Sequence, residues 1–255
     1  MSSYFLSVLA FISWRFAPRS RYLGTMQRRL TALLSRVWWS QDWAAASMST
    51  EAQALTHGRS KMVAGLGNPG MEATRHSVGM AVLGALAARL GLGQRWHSDK
   101  QVCGDVVVSE TQNTRLVLLR PKVPMNVNGV AVAKAASKYG VRPEDVVLVH
   151  DELDKPLGKM SIKHGGSARG HNGVRSCVSC LQSDVMLRLR VGIGRPAGKT
   201  SVDRHVLGRF TCEEQKVLDS VLVQSVDLLL SQLSQEEDGQ SSPPAGGRRA
   251  AHTHT

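Results

Sequence analysis

His76, Asp151, Asn68, Asn126 and Asn172 are the side chains whose types and settings in this sequence could do chemistry. A histidine with a carboxylate partner can act as a general base. The carboxylate fixes the imidazole tautomer and leaves the other ring nitrogen to take a proton from water. Such a base is worth about 10²–10⁴ in rate. Asparagine amides can hold a substrate or stabilise a developing oxyanion without adding charge. No serine or cysteine near His76 sits on a strand-to-helix elbow, so the pattern suits an activated water better than a covalent nucleophile. Each residue also has a plainer use. Asn68 precedes Pro69-Gly70 and can make a turn, Asn172 can cap a helix, His76 can be an ordinary surface residue and Asp151 can open a turn.

These residues fall where a strand ends or a loop opens a helix, the place where open α/β sheets bind ligands. The apolar run 62–64 leads into Gly65-Leu66-Gly67-Asn68-Pro69-Gly70, and His76 follows just before a helical periodicity at Val78, Val82, Leu83, Leu86 and Leu90. Strands are expected at 102–109 and 115–119. A Pro-punctuated loop, 120–129, carries Asn126 and leads to an Ala-rich helix over 130–139 that Gly140 ends. The β-branched run 146–149 reads as a buried strand running straight into His150-Asp151-Glu152. A basic, Gly-rich stretch over 159–173 precedes a helix through Val174, Cys177, Val178 and Leu181, with Asn172 as its expected N-cap. The alternation in 187–193 predicts a strand with one exposed face, and a last helix is expected over 211–233. Strands alternating with helices give a single α/β domain, a mixed twisted sheet flanked by helices.

Glycines 65, 67 and 70 match the dinucleotide pattern G-x-G-x-x-G. The acid that should hold a ribose about 20 residues on is missing, since Arg89 stands there and the next acid is Asp99. A metal hydrolase built on His150, Asp151, Glu152 and Asp154 lacks a second cluster to complete a two-metal set.

The net charge of +12 and pI near 10.1 point to an anionic partner such as nucleic acid. A non-catalytic RNA-binding module would satisfy that charge equally well. Residues 1–60 hold seven Arg, no Lys and two acids, the composition of a mitochondrial transit peptide. Localisation is therefore expected to be mitochondrial, with cytoplasmic as the alternative. Four cysteines in this length do not make a disulfide framework, and Cys177-x-x-Cys180 lies in a helical pattern that reads as packing. No apolar run of bilayer-spanning length is expected, so no membrane partner is either. The boundaries are an extension over 1–60, disordered or targeting, a domain over 61–233 and a disordered tail over 234–255.

Several segments together resemble the signatures of bacterial-type peptidyl-tRNA hydrolase. They are Gly65-Leu-Gly-Asn-Pro-Gly70 followed by Thr74-Arg-His76; Met125-Asn126 followed by Gly129; His150-Asp-Glu-Leu-Asp154 with Pro156-Leu-Gly158; Gly170-His-Asn-Gly173; and the run 188–196 with Val206-Leu-Gly208. The resemblance spans about 61–232. It implies hydrolysis of the ester joining a peptide to the 3′ end of tRNA, with no cofactor and no metal, by a monomer. By position, His76 resembles the catalytic base and Asp151 the carboxylate that tunes it. Asn68, Asn126 and Asn172 resemble amides that hold the substrate, and Lys163 and Arg190 resemble contacts to the tRNA acceptor stem. Lys159, Arg169, Arg175 and Arg188 are further basic candidates. Against the family pattern, only Met71-Glu72-Ala73 separates Gly70 from Thr74, and Ser77 stands where Asn is usual.

Overall fold

A computed structural model of the chain describes residues 59–111 and 114–238. The expected targeting segment and most of the expected tail lie outside the described residues.

The run 62–64 is apolar at every position because its strand is covered on both faces. It lies within β1 (Arg59–Gly65), which pairs in parallel with β4 (Thr114–Pro121) on one side and β5 (Val146–Glu152) on the other. Five of the seven residues of β1 and all seven of β5 are buried. The complete sheet adds β2 (His97–Asp99), β3 (Gly104–Glu110), β6 (Met160–His164) and β7 (Leu187–Gly192) in the order β2-β3-β4-β1-β5-β7-β6. The four central strands are parallel, and β2, β3 and β6 are antiparallel to their neighbours. The sheet is mixed, as the alternation of patterns predicts. β2 and β6 were not expected: β2 is three residues long, and Met160–His164 is an edge strand whose residues are only half-buried or exposed.

Side-chain alternation along the strands makes two cores. Val63, Leu118, Val147 and Val149 face α1 (Val78–Arg89) and α5 (Cys212–Asp238), while Met62, Leu119, Val146 and Leu148 face α2 (Asn128–Tyr139) and α3 (Asn172–Leu181). The result is a helix–sheet–helix sandwich. Gly140 ends α2 in the left-handed conformation at φ 64°, as a C-cap glycine should. A short helix, α4 (Val202–Val206), precedes α5.

Helix α5 corrects two expectations. It runs to Asp238, past the expected end at 233. Its segment Cys212–Ser234 is also long and apolar enough by composition to cross a membrane. Leu218, Val221, Val226 and Leu229 on this helix are buried in the core, while Val217 and Val223 are exposed. The buried Lys61 of β1 reaches the same helix, donating to the Leu233 carbonyl at 2.7 Å. Cys177 is packed inside α3, where burial pushes its thiol pKa up.

Candidate active site

Strand β5 carries His150, Asp151 and Glu152 to its C-terminal end with all three still buried. The chain leaving β1 makes the Asn68–Gly70 bend and then a single turn of 3-10 helix, Arg75–Ser77, that feeds α1. Helix α1 begins almost on top of the strand backbones. A Cβ placed on Gly79 would lie 2.2 Å from the Val149 carbonyl oxygen, so only glycine permits this approach. The approach sets His76 directly over Asp151.

His76 Nδ1 donates to both carboxylate oxygens of Asp151, at 2.9 Å to Oδ1 and 3.0 Å to Oδ2. The imidazole lines an open cleft of about 240 Å³, and its Nε2 has no protein partner among the described residues. A third residue, His171, completes the arrangement. Its Nε2 lies 2.8 Å from Asp151 Oδ1, and its Nδ1 accepts the Val174 backbone N–H at 3.2 Å. That acceptance places the His171 proton on Nε2, where it is donated to Asp151. Burial alone would raise the Asp151 pKa. The electrostatic pull of His171, whose Nε2–H is aimed at the carboxylate, and the hydrogen bonds from His171 and His76 overcome that and hold the carboxyl well below the usual range. Asp151 is therefore an anion at any working pH, fixing His76 with Nδ1 protonated and Nε2 free to accept.

His150 is quieter. Its Nδ1 donates to the Asp151 carbonyl at 2.7 Å, its Nε2 is buried without a partner, and its ring meets His171 edge-on. Burial pushes its pKa down to about 3, so the ring is neutral.

The structure brings His76, Asp151 and Asn172 to one cleft. Asn172 is not the cap of α3. His171 caps it, and exposed Asn172 is the first helical residue, its Oδ1 accepting from Arg175 at 3.4 Å. Asn68 lies next door: its N–H donates to Ser77 Oγ at 3.1 Å, and its Oδ1 accepts the Met125 N–H at 2.7 Å. That second bond anchors the turn Met125–Val127, on which Asn126 stands exposed. Neither Asn68 nor Asn126 lines the cleft itself. The fully buried Asn128, which the sequence reading passed over, laces the two loops together. It accepts from Gly67 N–H at 3.1 Å and donates to the Val123 and Pro124 carbonyls at 2.8 and 3.0 Å. The loop amides that a dinucleotide phosphate would need, those of Leu66, Gly67, Asn68 and Gly70, are thus all engaged within the protein.

Lys163 on the edge strand β6 has Arg190 and Arg188 of β7 and Arg169 of the Gly-rich loop as charged neighbours, and Arg169 also lines the cleft. Desolvation, with the charges of Arg188, Arg169 and Arg190, pushes the Lys163 pKa down. Arg190 is half-buried and partly spent on Glu152 at 3.3 Å and Ser161 at 3.1 Å. Arg188 is buried and ties down the Gly-rich loop, donating to the carbonyls of Gly165, Gly166 and Ser167. It is a loop clamp rather than a surface cation.

His76, Asp151 and His171 also have the ligand types of a metal site, with one donor atom each within 4.8 Å of the others. Here both imidazole nitrogens in question point at the carboxylate over hydrogen-bond distances. The four-residue set His150, Asp151, Glu152 and Asp154 does not converge: Glu152 pairs with Arg190 and Asp154 with Arg195. Of the residues the sequence reading did not single out, His171 carries the clearest signal, a second histidine between glycines at a helix start.

A sequence profile described as peptidyl-tRNA hydrolase matches residues 62–243. The chain is 52% identical over 199 residues to a mouse protein described as a probable peptidyl-tRNA hydrolase, covering 78% of this chain and 97% of that one. It is 41% identical over 171 residues to the peptidyl-tRNA hydrolase of Syntrophotalea carbinolica, covering 66% of this chain and 88% of that protein. The crystal structure of peptidyl-tRNA hydrolase from Acinetobacter baumannii superposes with a TM-score of 0.61 at 32% identity, covering 69% of this chain and 91% of that one. By sequence and by fold alike, the chain belongs to the peptidyl-tRNA hydrolase family.

Proposed function

We propose that this chain hydrolyses the ester between a peptide and the 3′ end of tRNA by direct attack of water. The observation that carries the reading is the Asp151 carboxylate, which accepts from both His76 and His171. It leaves the Nε2 of His76, which lines the cleft, as an unengaged base. Nε2 takes a proton from water as its oxygen bonds to the ester carbonyl carbon. The tetrahedral intermediate then expels the ribose oxygen, which recovers that proton from the imidazolium. Peptide carboxylate and free tRNA leave. Asn172 at the cleft and Asn68 and Asn126 beside it are the amides that hold the peptide and the ester. The crowded cations around Lys163 and Arg190 favour an anion, and the phosphates of the acceptor stem are the partner this edge fits. Because residues 1–60 are Arg-rich and acid-poor, we place the protein in mitochondria.

The test is release of labelled peptide from peptidyl-tRNA. His76→Ala should lose at least about 10²-fold in kcat while still binding tRNA. A variant with wild-type turnover overturns the mechanism. The same assay in a strong chelator should run at an unchanged rate, since the three candidate ligands are satisfied by one another.

A further inference from the structure

The residue before the proposed base is Arg75, a charged side chain only 8% exposed. Its Nη2 forks onto Glu214, at 2.9 Å from Oε1 and 2.6 Å from Oε2. Its Nη1 donates to the Arg209 carbonyl at 2.8 Å and to the His205 carbonyl at 3.4 Å. The Arg75 backbone N–H donates to the Gly208 carbonyl at 3.0 Å, and the Phe210 ring centre lies 5.3 Å from the guanidinium carbon. Every one of these partners belongs to residues 205–214, from the end of α4 to the first turn of α5. Glu214 is also part of the start of α5. It accepts the Thr211 N–H at 2.7 Å, while Thr211 Oγ1 accepts the Glu214 N–H at 3.2 Å, a reciprocal capping box.

With Nη2 on the Glu214 carboxylate and Nη1 on the backbone carbonyls, the planar guanidinium fixes orientation as well as distance, whereas a lysine has only one nitrogen to offer. The grip acts one residue from an imidazole that must meet Asp151 and the substrate together. Misplacement of a reacting group by about 1 Å can cost 10²-fold in rate. We propose that Arg75 is a positioning residue, which by locking the 3-10 turn to Glu214 and the 205–209 carbonyls keeps His76 in register with Asp151.

This rests on the reading of His76 as the base. The experiment compares kcat, KM and Tm for wild type, Glu214→Gln, Arg75→Lys, the double variant and His76→Ala. Gln can still serve the capping box, so Glu214→Gln leaves the start of α5 in place while removing the charged fork. Each single variant should lose about tenfold in kcat with KM nearly unchanged. The double variant should be no worse than the weaker single, because both remove one interaction. A purely structural bridge would lower Tm and leave kcat per folded molecule at the wild-type value in both singles, and that result overturns the proposal. Wild-type kcat in both singles beside an inactive His76→Ala removes this inference alone. Turnover by His76→Ala removes the reading of the site beneath it.

Discussion

Asp151 and His150 are neighbours on one strand, yet their environments move them in ways that matter at different pH. Asp151 is held ionised by two donors, so its stabilising contribution is complete above the ordinary carboxylate range. It is lost only as pH falls towards its depressed folded pKa. Asp151→Asn breaks that logic. An amide cannot accept from both imidazoles as a charge does, and we expect kcat to fall at least about 10²-fold with tRNA affinity kept. Filter binding beside single-turnover release measures both. His150 carries the opposite cost. Folded, it stays neutral down to about 3 against an ordinary 6.5, so the unfolded chain takes up a proton first as pH drops. The folded state therefore loses stability from about pH 6.5 downwards, at up to ~1.4 kcal/mol per pH unit for this one proton. Urea unfolding between pH 7 and 4.5 should show a shallower pH slope for His150→Phe than for wild type. Equal slopes would mean that the ring titrates normally.

The elements hold these residues through close backbone approaches. Helix α2 crosses α3 at Gly129, where a Cβ would come 2.1 Å from the Ser176 carbonyl oxygen, and the Gly129 N–H donates to Ser176 Oγ at 3.0 Å. Gly129→Ala should force the helices apart and cost about 1–3 kcal/mol, read as a lower urea midpoint. A midpoint within error of wild type would show that the crossing relaxes freely. His171 caps helix α3, so displacement of the helix also reaches Asp151. Much of this was legible in the sequence. The buried strand β5 announces itself by its β-branched run, and His76 and Asp151 stand where motif and strand end coincide. What stayed hidden has physical reasons. His171 does two things that no local pattern encodes: it meets a carboxylate twenty residues back and caps a helix with an imidazole nitrogen. Asn172 drew the cap assignment because asparagine is a strong cap by propensity and histidine is not. Strand β6 was lost in the Gly-rich stretch because an edge strand with one partner shows little apolar alternation. The fork from Arg75 to Glu214 joins residues 139 positions apart, beyond the reach of any spacing rule.

At the scale of the whole molecule, the proposed chemistry lies between the strand ends of the sheet's centre and the basic edge at β6 and β7. If that edge holds phosphates, binding should weaken steeply with salt. Lys163→Ala should lower affinity alike for every tRNA sequence and reduce the slope of log K against log[salt] by about 1. A slope unchanged by the substitution would place the phosphates elsewhere. The buried ammonium of Lys61 has a consequence of another kind. It lies in β1, the first strand among the described residues and the fourth of the seven across the sheet, and it reaches Leu233, 172 residues later. A ribosome adding roughly 5–20 residues per second leaves an interval on the order of 10–30 s between the two. Throughout that interval the bond from Lys61 to Leu233 cannot form. Docking of the last helix against the centre of the sheet is therefore a late event of folding during synthesis.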